Sequence, residues 1–163
     1  MKPLKHTTPE EASQIIALAN SLHPVSEGIT QFLLKNTYFK TIKKGKMLLK
    51  AGEVCTNMYF VSKGVLRGFV KEGEREITTW ISADGELVSA ISSFILQMPT
   101  NENIHAIEDC ELISLSHTDL EKYLKFPSFN ITVRKLTEIY YMHAEHRAYI
   151  ARLKNADQKY ELT

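Results

Sequence analysis

Short runs of β-branched and aromatic residues, separated by glycines or charged turns, fill the chain from Thr37 to Ser116. Such runs between turn residues are typical of strands, and their close spacing favours an antiparallel sandwich or barrel. The clearest hairpin has a predicted five-residue charged loop, Lys71–Arg75, that contains Gly73. The predicted strands are Phe39–Lys43, Lys46–Lys50, Asn57–Ser62, Val65–Lys71, Glu76–Ile81, Asn103–Ile107 and Glu111–Ser116. The middle of the chain is therefore predicted to be a β domain.

Helical patterns flank this β region on both sides. Thr8, Pro9 and Glu11 have the N-cap, first-turn proline and acid of a capping box, which predicts a helix to about Asn20. The other predicted helices run from after Ser26 to near Asn36, from the Ser116 cap to Leu124, and from Phe129 to about Lys154. The last contains neither glycine nor proline and would be a rod of about 39 Å, which is too long to be covered by one small sheet.

A row of mostly apolar side chains recurs along this last helix at alternating spacings of four and three residues, which predicts a seam for a partner helix. The predicted dimer seam comprises Phe129, Val133, Leu136, Tyr140, His143, Arg147 and Ile150. A second row runs beside it and comprises Ile139, Met142, His146, Tyr149 and Leu153. Two rows suit a helix that contacts its own β domain on one side and a second copy on the other, so we expect a symmetric homodimer. The alternative is a single wide stripe packed within one protomer.

The glycines carry a resemblance to a known family. The segments that match are Lys44-Gly45, Ala51-Gly52-Glu53, Asn57 to Gly64 and Asp84-Gly85-Glu86, and each of these turns needs a backbone conformation that glycine adopts at little cost. With the order of helices, β region and long helix, they resemble the sensor half of the Crp/Fnr family of bacterial transcription regulators. The resemblance covers about Thr8 to Lys154.

The resemblance implies a fold that is mainly β with flanking helices. That fold is a double-stranded β-helix (a jelly-roll or cyclic-nucleotide-binding-like β-roll) with N-terminal helices and a long C-terminal helix. The predicted parts are residues 1–36, an N-terminal helical segment; 37–116, the β-roll sensor core; 117–154, a short helix and the long dimerisation helix; and 155–163, a stub toward a DNA-binding domain.

The family's phosphate-binding cassette is expected to be degenerate in this sequence. Gly85-Glu86 matches the turn that precedes the cassette, so the family's ribose-binding glutamate falls on Ala90, which has no acceptor for sugar hydroxyls. The cassette's phosphate-binding arginine is also missing, because no arginine occurs between Arg75 and Arg134. We therefore expect no binding of cyclic AMP or cyclic GMP. An atypical cyclic-nucleotide sensor with another anion site remains an alternative.

The degenerate cassette still predicts a concavity between the sheet and the long helix. Its candidate lining is polar, with Glu102 as the one charged residue: Val88, Ser89, Ala90, Ile91, Ser92, Ser93, Thr100, Asn101, Glu102 and Asn103. A small neutral, apolar or cationic effector would suit this lining better than an anion. The alternative is that the side chains of the lining fill the concavity. The chain would then be a stand-alone β-roll interaction or structural module without an effector.

Other functional classes find little support in the sequence. The formal charge of +1 gives no general case for a nucleic-acid or membrane surface. Cys55 and Cys110 are too few for an iron–sulfur site, and His143 with His146 is better explained by the helix interface than by a metal. No catalytic motif occurs, so we expect no enzyme activity, no cofactor and no metal. We expect a soluble, cytoplasmic regulator that contacts DNA only through a domain absent from this chain.

Overall fold

A computed structural model describes residues 5–152, and the predicted stub 155–163 lies outside these residues, as do Leu153 and Lys154. The strands within that range are β1 (Lys5–His6), β2 (Thr37–Ile42), β3 (Met47–Leu49), β4 (Asn57–Lys63), β5 (Leu66–Glu72), β6 (Arg75–Ser82), β7 (Leu87–Val88), β8 (Asn103–Ala106) and β9 (Cys110–Ser116). The helices are α1 (Pro9–Leu22), α2 (Glu27–Asn36), α3 (Ile91–Leu96), α4 (His117–Tyr123) and α5 (Pro127–Arg152). All seven predicted strands are present, and their ends agree with the predicted ends to within two residues.

The strands form two antiparallel sheets. The first has the order β1-β2-β9-β4-β7, and the second has the order β3-β8-β5-β6. Strands that are distant in the sequence lie side by side, as where β2 and β4 both pair with β9. This arrangement confirms the predicted fold class, a jelly-roll β domain with flanking helices.

Two clusters of buried side chains hold the layers together. The first fills the space between the sheets and includes Val61, Ile104 and Leu112, each with no exposed surface. The second lies on the outer face of the first sheet, where Leu115 belongs to one buried cluster with Tyr123 of α4 and Phe129 of α5. Complete burial of one such side chain stabilises the fold by about 1.5–3 kcal/mol. The long helix is therefore anchored on the β domain at its N-terminal end.

Gly68 allows the largest side chain of the second sheet to pack against the backbone of β5. A Cβ at this position would lie 2.1 Å from Cε2 of the Trp80 indole, which is far inside van der Waals contact. Gly68 and Trp80 are opposite each other in the β5–β6 register, and the register shifts immediately afterwards. The bulge and the glycine together place the Trp80 indole.

The structure differs from the sequence prediction in the hairpin turn and in three short elements. The charged hairpin has a two-residue turn at Gly73 and Glu74, because Glu72 pairs with Arg75 and the predicted loop residues continue the ladder. Backbone pairing does not need apolar side chains, so charge alone did not mark the end of the strands. The short elements β1, β7 and α3 were not predicted.

No helix of the part that the structure describes, residues 5–152, has the length and apolar composition needed to span a bilayer.

Candidate functional site

The predicted cassette extends from the end of β7, through α3, to the start of β8. Ala90 is the N-cap of α3 and supplies no side-chain hydrogen bond to the helix. Gln97 ends α3 in the left-handed conformation with φ of 51°. The cassette is therefore a short helix between two strands of different sheets.

Cys55, in the segment before β4, holds α3 in place. Its backbone N–H donates to Ser93 Oγ at 2.9 Å, and its carbonyl accepts from Gln97 Nε2 at 3.3 Å. Its thiol lies 3.4 Å from Ser89 Oγ, and Ser93 Oγ also donates to the carbonyl of Met98. The two serines that were expected to line a pocket thus serve to dock the helix. No local sequence pattern signals this contact, because Cys55 and Ser93 are 38 positions apart in the chain.

Thr100 and Asn103 are likewise occupied by the fold. The Thr100 carbonyl accepts from Gly52 N–H at 2.7 Å, and its own N–H donates to the carbonyl of Glu53 at 2.9 Å. Asn103 Oδ1 accepts from Ala51 N–H at 3.0 Å. These contacts tie the start of β8 to the glycine turn after β3.

Glu102 is the charged residue of the predicted lining, and β6 fixes its position. Its Oε1 atom accepts hydrogen bonds from Trp80 Nε1 at 2.9 Å and from Thr79 Oγ1 at 2.6 Å. Within residues 5–152, no nitrogen of a basic side chain lies within salt-bridge distance of this carboxylate. The cassette therefore has an uncompensated negative charge beside the sheet.

The remaining predicted lining residues fall into two groups. Val88 and Ala90 are buried in the cluster between the sheets, and Ala90 is only 4% exposed. Ile91, Ser92 and Asn101 are exposed and do not face that cluster. The expected lining is thus split between the interior and the surface of the β-roll.

Lys40 is a half-buried cation on the inner face of β2 that the sequence analysis missed. It lies two residues before Ile42 on β2, and Ile42 belongs to the cluster between the sheets, so Lys40 has the same facing. Its Nζ lies 5.5 Å from the centroid of the Tyr59 ring, and Tyr59 pairs with Val88 at the start of the cassette. Burial lowers the pKa of the Lys40 ammonium and raises the pKa of Tyr59 to about 12. The period-two alternation of β2 was the available signal, but the family resemblance implies a phosphate-binding cation only in the cassette.

Tyr140 of α5 binds the strand that leads into the cassette. Its hydroxyl accepts from Leu87 N–H at 2.8 Å and donates to the Leu87 carbonyl at 2.9 Å. Burial raises the pKa of Tyr140, although the hydrogen bond from the Leu87 amide opposes this shift. The predicted dimer seam assigned Tyr140 to a partner, but its hydroxyl is engaged within its own protomer.

The burial of the other seam residues decreases along most of α5. Phe129 is buried and Val133 packs against the outer cluster of the same protomer, with Leu136 half-buried. His143 and Arg147 are exposed, and Ile150 is half-buried. In the second row, Met142 is 56% exposed and Tyr149 is 55% exposed. The first row therefore faces the β domain at its start, and the second row is exposed at Met142, His146 and Tyr149.

Two hollows lie away from the cassette, between α1 and the outer face of the first sheet. Their volumes are about 310 and 430 Å³, and both are lined by Gln14, Ser62 and Asp84. No cassette residue lines either of them. Across the described residues, no three histidine, cysteine, aspartate or glutamate side chains are grouped so as to hold a metal ion.

The sequence and the fold of this chain were compared with those of known proteins. The family model described as the cyclic nucleotide-binding domain matches residues 39–125. No curated protein matches the chain. A cyclic nucleotide-binding domain from Methylobacillus flagellatus superposes with a TM-score of 0.74 at 15% identity, over 90% of this chain and 87% of that one.

Two transcription regulators are also similar in structure. The sensor domain of the transcriptional regulator DNR from Pseudomonas aeruginosa gives a TM-score of 0.65 at 16% identity, over 89% of this chain and 98% of that one. The catabolite activator protein of Thermus thermophilus gives 0.65 at 19% identity, over 78% of this chain. This chain spans only 59% of the length of the Thermus protein. At such identities the likeness shows a shared fold.

Proposed function

Because the chain belongs to the cyclic nucleotide-binding domain family, we propose that it is the non-catalytic effector-sensing domain of a Crp/Fnr-like transcription regulator, and that its effector is neither cyclic AMP nor cyclic GMP. The similarity to the DNR sensor domain over nearly the whole of both chains supports the sensing role. Contact with DNA then belongs to a domain outside this chain, and the protein acts in the cytoplasm.

The position of Glu102 is the observation that carries the exclusion of cyclic nucleotides. A cyclic phosphate in the cassette would meet this carboxylate, held by Trp80 and Thr79, and would find no cassette arginine to neutralise it. Hydrogen bonds to a charged group contribute about 1.5–3 kcal/mol, and that contribution would be lost. Ala90 has no oxygen with which to accept a ribose hydroxyl. The same lining favours a small neutral or cationic effector.

Lys40 supports a second candidate, an atypical cyclic-nucleotide sensor. Its ammonium faces the space between the sheets, and no salt bridge of residues 5–152 includes it. A phosphate that entered from the cassette side would find its cation on β2.

Titration with nucleotides separates these two candidates. Thermal unfolding of the wild-type chain and of Lys40→Met is measured with cyclic AMP and cyclic GMP, with 5′-AMP as the control. We expect no shift in either protein, whereas ligand at about 100 times its dissociation constant would add about 2.7 kcal/mol. A shift that Lys40→Met abolishes supports the second candidate. A shift that both proteins share overturns the argument from Glu102.

Trp80 provides the readout for an effector of another class. It is the single tryptophan of the sequence, and its indole N–H binds the Glu102 carboxylate. Its fluorescence should change when a neutral or cationic small molecule engages the cassette, and a cationic one should bind more weakly to Glu102→Gln. If no small molecule of a broad panel changes the fluorescence or the unfolding temperature, the stand-alone interaction module replaces the sensor as the better description.

A further inference from the structure

Within residues 5–152, β7 is an edge strand, and its outer backbone groups have no strand partner among these residues. In the first sheet it pairs with β4 alone, through Tyr59 with Val88 and Phe60 with Leu87. Val61 N–H donates to the Glu86 carbonyl at 2.9 Å, so the neighbouring pair Phe60–Leu87 is one whose backbone groups point away from each other. The N–H and carbonyl of Leu87 therefore face outward.

The hydroxyl of Tyr140 satisfies both of these outward groups. It accepts one hydrogen bond from Leu87 and donates another to it, at 2.8 and 2.9 Å. Because both bonds end on the same hydroxyl oxygen, they hold α5 at one position along β7 and at one distance from it. A phenylalanine at this position would keep the ring and lose both bonds.

Leu87 is also close in sequence to the cassette helix. Three residues separate it from Ile91, the first residue of α3, and α3 is fastened on its other side to Cys55 through Ser93 and Gln97. A displacement of α3 or of its N-cap therefore acts directly on the backbone that Tyr140 binds.

Beyond Tyr140, α5 leaves the β domain. Every residue from Tyr141 to Tyr149 is exposed, and the described helix ends at Arg152. At 1.5 Å per residue, these last 12 residues form a lever of about 18 Å. A small change of angle at Tyr140 is thus enlarged at the distal end of the helix.

We propose that the Tyr140 hydroxyl is a latch between β7 and the long helix, and that release or retention of its two bonds to Leu87 sets the direction in which the helix leaves the β domain. The latch is a property of the fold itself. That an effector in the cassette operates the latch rests on the proposed sensing function.

Hydrogen exchange at Leu87 tests the latch without any effector. The exchange rate of the Leu87 amide is measured by NMR in the wild-type protein and in Tyr140→Phe. Tyr141→Phe is the control, because the Tyr141 side chain is 70% exposed. We expect exchange to be about 5- to 10-fold faster in Tyr140→Phe, because a hydrogen bond of ordinary strength is lost at an edge that water reaches. We expect no change in Tyr141→Phe.

The direction of the helix is measured in the same variants. Spin labels on engineered cysteines at Glu74, on the β5–β6 turn, and at Glu145 of α5 report the distance between roll and helix, and an excess of unlabelled chain removes distances between protomers. We expect a broader or shifted distance distribution in Tyr140→Phe alone. Unchanged Leu87 exchange, or faster exchange with an unchanged distribution, overturns the latch. Neither result depends on an effector, so failure of the latch is distinguishable from failure of the sensing function.

Discussion

The Trp80 indole lies where it does because the residue opposite it has no side chain. Substitution of Gly68 by alanine would put a Cβ 2.1 Å from Cε2 of the indole, so either the ring or strand β5 has to move. The ring cannot move freely, since its N–H is held by Glu102. A single methyl group at this position therefore affects both the packing of the second sheet and the cassette.

We expect Gly68→Ala to lower the free energy of unfolding by about 1–3 kcal/mol, the usual cost of overpacking. Urea denaturation monitored by the fluorescence of Trp80 measures it. Gly28→Ala is the control, because Gly28 lies in α2 with Ser26 Oγ as its nearest neighbour at 3.9 Å. Alanine at a helical site of this kind stabilises by about 0.5–1 kcal/mol. Equal effects of the two substitutions would contradict the packing of Trp80 on Gly68.

Lys40 and Tyr140 show which facts about single residues a sequence can supply. The facing of Lys40 follows from the alternation of β2, and the sequence contained that information. The partner of Tyr140 is 53 positions away, and its heptad position was compatible with a contact inside or outside the protomer. Periodicity predicts on which face of its strand or helix a residue lies. It does not predict which other part of the protein packs against that face.

At the scale of elements, the helix caps were the most predictable features. The capping box at Thr8 and Glu11 is present, with Thr8 N–H donating to the Glu11 carboxylate at 2.8 Å. The predicted cap of the short helix is present as well, since Ser116 Oγ accepts from Asp119 N–H at 3.0 Å. The Ser116 hydroxyl also donates to the Asp119 carboxylate, at 2.6 Å. Caps are predictable because all their partners lie within three residues.

Asp119 makes the stability of this cap depend on pH. Burial by itself would raise the pKa of the Asp119 carboxyl, but hydrogen bonds from Lys122 and Ser116 outweigh burial and hold the pKa below its ordinary value of 3.8. The folded state thus binds the proton more weakly than the unfolded state. The stabilising contribution of the ionised Asp119 carboxylate is complete well above pH 3.8 and is lost as the pH falls through the folded-state pKa.

We therefore expect Asp119→Asn to lower stability by about 1 kcal/mol at pH 7 and to have a smaller effect at low pH, where the wild-type carboxylate is itself protonated. Urea denaturation of both proteins between neutral and acid pH measures the difference. Glu121→Gln is the control on the same helix, since the Glu121 side chain is 59% exposed and its contact with His117 Nε2 is long, at 3.9 Å. A destabilisation by Asp119→Asn that stays constant with pH would contradict this account.

At the scale of the whole molecule, the long helix is only half accounted for by one protomer. Its start packs in the outer cluster through Phe129, but from Tyr141 to Tyr149 all residues are exposed. An isolated helix as short as this exposed part is marginally stable in water, so a partner surface would stabilise it. We propose that a second copy supplies it, and that the interface uses the second row rather than the start of the predicted seam. The row residues that the structure describes are Ile139, Met142, His146 and Tyr149.

Charge on the second row should separate association from folding. We expect Met142→Glu to yield monomers in sedimentation velocity with little change in the unfolding temperature of the β domain. Ala144→Glu, with the same added charge on the opposite exposed face of α5, should remain dimeric. Leu136→Glu should instead destabilise the protomer, because Leu136 is half-buried against it. A dimer that persists in Met142→Glu places the interface elsewhere.

The sequence by itself determined the family and all the elements except the short β1, β7 and α3. Strand alternation, strand-ending glycines and helix caps are local patterns, and they predicted seven strands, four helices and the β-roll. It also showed the missing cassette arginine, which is a matter of composition. Only the tertiary structure decided that Ser93 docks on Cys55, that Glu102 is held by Trp80 and that Tyr140 binds Leu87. These contacts join residues 22 to 53 positions apart, and such pairs are selected by how the sheets and helices pack together, which no local pattern encodes.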